Sequence, residues 1–113
     1  MVTKKDCKIL EEVLKETDEI EGIVAGLTFE QFNNNEVVKR AIAMTLINIG
    51  EYSRRLSAEF RKSTDIPFKR IIGLRDIAAH GYGVLRFNSI WTVIKTDIPD
   101  LKTKIEKLLA EYC

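Results

Sequence analysis

Histidine is almost absent from this chain: there is one, His80, so no cluster of imidazoles can hold a metal. Cysteine is scarce too. Cys7 and Cys113 stand near the two ends, with no further Cys or His at zinc-ligand spacing, and the expectation is two free thiols in a reducing compartment. No apolar run approaches the roughly 18 residues of a membrane span, and the charged opening Met1-Val2-Thr3-Lys4-Lys5-Asp6 lacks the apolar region of a signal peptide. A cytoplasmic location follows as the default. Strand-like alternation, internal repeats and low-complexity tracts are also missing, which excludes sandwiches, barrels and solenoids. A net charge of +1 excludes a protein that holds nucleic acid by overall positive field alone.

What is present is helical periodicity. At 113 residues, with 45% hydrophobic and 31% charged, the composition suits one globular domain covering 1–113. From Thr3 to about Ala25, apolar residues recur at Cys7, Leu10, Val13, Leu14, Thr17, Ile20 and Val24, three and four apart, with Thr3 as cap and Gly26 as stop. Its outer face is acidic. Thr28 and Gln31 form a capping box for a single turn that buries Phe29 and Phe32, and Asn35 can cap the next helix. That helix is expected to be the longest, roughly 36 to 62, with Val38, Ile42, Leu46, Ile49, Leu56 and Phe60 inward. Asn48, Glu51 and Arg55 interrupt its apolar middle, and Gly50 permits another helix to come close. Glu51 can either hold an arginine of the site or make a helix-to-helix hydrogen bond. After Pro67 comes a short helix to about residue 81, closed by the left-handed stop that Gly81 and Gly83 can supply. Asn88 can cap a further helix with Ile90, Trp91, Val93 and Ile94, and Pro99 must break it, with Asp97 capping a last helix of about 98 to 112. The fold class is therefore an all-α up-and-down bundle of four to five helices.

Chemistry concentrates in the helix of residues 67 to 81. On a wheel at 100° per residue from Arg75, Ile71, Leu74, Ile77, Ala78 and Gly81 make a core-facing stripe between about 200° and 320°. The opposite side carries Arg75, Asp76, Ile72, Ala79 and His80, a small apolar strip edged by a cation, a carboxylate and an imidazole. Asp76 and His80 are four apart, close enough for the carboxylate to orient the ring. Arginine grips phosphate with a planar fork and histidine moves protons near neutral pH, so the pattern suits phosphate handling. It equally suits a helix-end histidine beside a salt-bridged arginine. The charge distribution adds to the first reading. Residues 1 to 36 hold four Lys against nine Asp or Glu, whereas Arg54, Arg55, Arg61, Lys62, Lys69, Arg70, Arg75 and Arg86 face only Glu59, Asp65 and Asp76. A basic region around the motif would steer phosphate; the alternative is an acidic and a basic helix that partly neutralise each other.

Arg-x-x-x-x-His-x-Tyr, set in Ile72-Gly73-Leu74-Arg75-Asp76 through His80-Gly81-Tyr82, resembles the signature of HepT-like proteins of the HEPN superfamily. Ile49-Gly50-Glu51 with Arg54, Arg55 and Leu56, and Ile90-Trp91 through Asp97-Ile98-Pro99-Asp100-Leu101, extend the likeness over most of the chain. The resemblance implies an endoribonuclease toxin with Arg75 and His80 catalytic, RNA as substrate, and a homodimer. It implies also a minimal nucleotidyltransferase antitoxin that attaches AMP to Tyr82. Asp76 and Glu51 fall in supporting roles. No metal and no cofactor is expected, because RNA carries its own nucleophile in the 2′-OH and no carboxylate cluster suggests a magnesium site. The alternative is a non-catalytic helical module that presents a nucleotide or substrate to a separate nucleotidyltransferase. A third is an oligomerising bundle without ligand.

Overall fold

The structure is a computed structural model and describes residues 2–113. Its first helix, α1 (Lys4–Val24), begins with Thr3 accepting from the Asp6 amide while the Asp6 side chain answers the Thr3 amide, and it stops where Gly26 adopts φ +74°. That positive φ costs a glycine little and any other residue more. The single turn α2 (Phe29–Asn33) has the reciprocal Thr28–Gln31 cap, and Asn35 caps α3 (Glu36–Arg54) through its side-chain oxygen.

The long helix expected over 36 to 62 is two helices, α3 and α4 (Ala58–Ser63). The cause lies on α1. Buried Asp6 takes the Ser57 amide at 2.9 Å and the Ser57 hydroxyl at 2.8 Å, so the amide that would have continued the α3 ladder is drawn away. A carboxylate out of water needs such donors, and Ser57 in turn caps α4 through Phe60. Burial works against the Asp6 charge, but hydrogen bonds from Ser57 and Thr3 outweigh it and hold its carboxyl below the ordinary value of 3.8.

The motif helix α5 (Phe68–His80) follows Pro67, and a short 3-10 turn, Tyr82–Val84, follows it. Gly81 ends α5 with φ −179°, an extended conformation, so the expected left-handed stop is not used. From Phe87 to Tyr112 the chain stays helical: α6 (Phe87–Thr92), a π-helical segment Val93–Asp97, then α7 (Ile98–Tyr112). The break expected at Pro99 is thus replaced by a widened turn. The extra residue in that turn gives the proline ring room beside a backbone it would otherwise hit, and Asp97 makes no cap. Asn88 falls inside α6 rather than before it.

α3 is the central element, with α1 against one side and α5 against the other, and α7 completes the bundle on α1. Leu10, Val13, Ile20, Phe32, Ile42, Ile49, Phe60, Phe68 and Ile105 are almost wholly withdrawn from water. Each such side chain contributes about 1.5–3 kcal/mol relative to exposure. The bundle is all-α, as the periodicity indicates. Among the described residues no helix is long and apolar enough to cross a membrane.

The thiols are the largest departure from expectation. Cys7 and Cys113 form a disulfide with Cα atoms 6.0 Å apart, so neither is free. Packing of α7 on α1 brings the two chain ends together, which sequence separation gave no reason to expect.

Candidate functional site

α5 lies antiparallel along α3, because Arg75 meets Gly50 while Tyr82 meets Glu36 and Arg40. The seam is closest at Gly50. A β-carbon there would overlap the Cβ of Arg75 and stand 2.6 Å from its Cγ, so the arginine's own stem fills the space where another residue would carry a side chain. This is the close approach that Gly50 allowed, and its partner is the motif arginine.

Arg75 is then held by charge. Its Nε stands 2.7 Å from Glu51 Oε1, a contact that pairs the charges without the alignment of a hydrogen bond, and its Nη1 donates to Asp76 Oδ1 at 3.0 Å. Glu51 thus holds the arginine, the first of its two readings. Asp76 Oδ1 also accepts from Arg54, a member of the basic region whose partner the sequence did not show. The Arg75 hydrogen bond, with Arg54 beside it, keeps the Asp76 carboxyl below its ordinary range. Two guanidiniums and two carboxylates therefore interlock across α3 and α5. The Arg75 side chain keeps 25% of its surface exposed, enough for a ligand to reach.

His80 ends α5, exposed, and makes no side-chain hydrogen bond among the described residues. None of Asp76's hydrogen bonds goes to it, so the expected Asp76–His80 pair is absent. The arginines, carrying full charges, compete better for that carboxylate than an imidazole does. Ile77, expected in the core stripe, is 51% exposed and borders a groove of about 660 Å³ between α5 and the start of α7, floored by Leu46 and Ile49. Met44 and Val84 are exposed apolar side chains as well.

Tyr82 does not lie beside Arg75. Its hydroxyl donates to Glu36 Oε2 at 2.9 Å, the Arg40 guanidinium sits 4.4 Å over the ring, and Phe87 packs against it. Glu36 and Glu51 are fifteen positions apart on α3, about 22 Å along the helix axis. The tyrosine therefore meets α3 near its start, and the arginine meets it near its end.

The basic stretch is partly neutralised, though not by α1. Arg54 pairs with Asp76, Arg70 with Asp97, and Arg75 with Glu51 and Asp76. The acidic face of α1 is occupied elsewhere: Glu16 accepts from Asn48, and Asp18 and Glu21 hold Lys102 of α7. Arg55 lies near the Tyr52 ring, and Lys62, Lys69 and Arg86 are exposed with no carboxylate partner among the described residues.

A family model described as "Ribonuclease HepT-like" matches residues 13–108. The chain belongs to the ribonuclease HepT-like family. Individual relatives agree. A Methanocaldococcus jannaschii protein named "Putative RNase" is 30% identical over 107 residues, 93% of this chain and 98% of that protein. A protein of the same name from Caldanaerobacter subterraneus subsp. tengcongensis is 36% identical over 101 residues, 88% of this chain and 90% of its own. A "Probable ribonuclease HepT" of Thermococcus cleftensis is 31% identical over 100 residues, 88% of this chain and 91% of its own. No solved structure gives a significant match.

Proposed function

We propose that this HepT-like chain is a metal-independent endoribonuclease, the toxin of a type VII toxin-antitoxin pair, active as a homodimer and silenced when a minimal nucleotidyltransferase antitoxin attaches AMP to Tyr82. The observation that carries this reading is the immobilised Arg75, locked by Gly50, Glu51 and Asp76, on the same helix as an exposed and unengaged His80. RNA cleavage by the 2′-OH needs one proton taken from that hydroxyl, one proton given to the departing 5′-oxygen, and cationic support for the phosphorane. His80 suits the proton transfers and Arg75 the charge. The names of the relatives point to the same activity.

One subunit supplies one histidine, and Arg75 turns toward α3 while His80 faces outward. A second copy across the Ile72 and Ala79 strip would bring two arginines and two histidines into one isologous cleft. Ala79 is exposed on that face, and its small side chain lets a second helix come close. AMP on Tyr82 would lie beside His80 rather than on Arg75 of its own chain, so silencing acts at the histidine end of the cleft and by added negative charge. Action in the cytoplasm places the enzyme with its RNA. The Cys7–Cys113 bond sets a condition on that placement, since most cytosols keep thiols reduced outside hyperthermophiles.

The test is digestion of RNA by the pure protein, with mass measurement of Tyr82 after exposure to a cognate nucleotidyltransferase and ATP. Cutting by the unmodified protein, lost when Tyr82 gains AMP and retained by Tyr82→Phe under the same treatment, is the expected result. A pure dimer that binds RNA or nucleotide and never cuts would support the non-catalytic module instead.

A further inference from the structure

The three tyrosines differ in what their hydroxyls meet. Tyr112 is exposed at the chain end and Tyr52 has Arg55 near its ring, whereas Tyr82 alone, among the described residues, donates its hydroxyl to a protein group. That group is the Glu36 carboxylate in the first turn of α3, where the helix dipole and Lys39 at 3.3 Å favour the ionised form. Arg40, one turn further, stacks on the Tyr82 ring. A carboxylate aligned on the hydroxyl and a cation over the ring are what a phenol needs to become an oxygen nucleophile. Neither is required for packing, which Phe87 already provides.

We propose that Glu36 makes Tyr82 the nucleotide acceptor of this chain: its carboxylate aligns the phenol and takes the proton as the oxygen attacks a nucleoside triphosphate, while Arg40 supports the charge that develops. The inference rests on the reading of Tyr82 as the modified residue and adds that the acceptor supplies its own base. In the step, a bond forms between Tyr82 Oη and the α-phosphorus, the bond from the α-phosphorus to the bridging oxygen of the β-phosphate breaks, and pyrophosphate leaves with that electron pair. The phenolic proton passes to Glu36 Oε2. Once Glu36 has passed that proton to solvent it repels the negative phosphodiester, for which Arg40 and Lys39 are the neighbouring cations. In the ground state the proton stays on the phenol, and it moves only as the bond to phosphorus forms. The Tyr82 hydrogen bond, with Lys39, holds the Glu36 carboxyl below its ordinary range, and burial together with Glu36 raises the phenol. The charged groups at the pair are Lys39 and Arg40 on α3, and no other titratable side chain bonds to either partner among the described residues.

The experiment compares the full-length protein with Glu36→Gln, which keeps an acceptor oxygen but takes up no proton. Each is incubated with a minimal nucleotidyltransferase and labelled ATP, and the initial rate of Tyr82 labelling is measured from pH 6 to 9. The ratio of variant to wild type removes the pH dependence of the transferring enzyme. Glu36→Gln is expected to be slower by about a hundredfold near pH 7 and to recover as pH rises toward the phenol's range. Its RNA cleavage is expected to match wild type, which shows that it is folded. Labelling of Glu36→Gln at the wild-type rate throughout, or a deficit constant with pH, would overturn the proton-transfer role while Tyr82 stands as the modified residue. Absence of label from wild-type Tyr82 would instead overturn the modification reading and this inference with it.

Discussion

Gly50→Ala is the substitution whose outcome the α3–α5 seam predicts most sharply. The added methyl would overlap the Cβ of Arg75 and lie 2.6 Å from its Cγ, whereas ordinary carbon contacts begin near 3.5 Å. Neither group is the far end of a flexible chain, so α5 must move away from α3 by roughly 1 Å or more. Overpacking of this kind costs about 1–3 kcal/mol, which lowers the melting temperature by several degrees in a domain of this size. The shift falls on Arg75, and misplacing a catalytic group by about 1 Å can cost on the order of a hundredfold in rate. Urea unfolding gives the first number, and single-turnover RNA cleavage at a temperature where the variant is fully folded gives the second. Gly73→Ala is the control, since nothing lies within 4 Å of its added methyl. In the interior of α5 that change is expected to stabilise by about 0.5–1 kcal/mol. A Gly50→Ala protein with wild-type stability and wild-type cleavage would refute the close-packed seam.

Three further substitutions probe the dimer face, the chain ends and the buried carboxylate. Ala79→Glu places a charge on an exposed residue of the strip proposed as the dimer face; it is expected to give a folded, inactive monomer by sedimentation, and a dimer that still cuts RNA would place the interface elsewhere. Cys113→Ser opens a loop with a sequence separation of 106, for which chain entropy gives a loss of about 4.7 kcal/mol; a urea midpoint unchanged from the oxidised wild type would show that this clasp does not stabilise the fold. Asp6 has a folded-state pKa below its unfolded one, so its contribution is present above about pH 4 and fades as pH falls through the folded value. Asp6→Asn should therefore lower stability at neutral pH and flatten its fall in acid, and an equally steep acid transition in the variant would mean that other carboxylates govern it.

Much of the fold was legible because its signals are local. Thr3, Gly26, the Thr28–Gln31 box and Asn35 mark their ends by chemistry within a few residues, and three-and-four spacing located the core faces of α1, α3 and α7. The misreadings share a cause in distant partners. α3 ends where it does because Asp6, 51 residues away, takes the Ser57 amide, and the disulfide joins residues that only folding brings together. Pro99 reads as a breaker until a π-turn makes room for it. At the site, the spacing of Arg75, His80 and Tyr82 along one short segment made those residues visible, and the lone glycine in an apolar stretch pointed to a close approach. Arg54 was visible as part of the basic region and of the resemblance, but its partner Asp76, 22 positions away, was not. Glu36 carried no signal at all, since its bond to Tyr82 spans 46 residues.

The most direct test of catalysis by Arg75 and His80 is single-turnover cleavage of a short RNA, in excess chelator, by wild type, Arg75→Ala and His80→Ala, alongside the same RNA with 2′-deoxy sugars. Both variants are expected to fold, since His80 is exposed and Arg75 anchors by charge at the edge of the core. Wild type is expected to cut the RNA with chelator present and to spare the deoxy substrate, and each variant to be slower by at least about a hundredfold. Cleavage by a folded His80→Ala or Arg75→Ala protein at the wild-type rate would contradict the assignment.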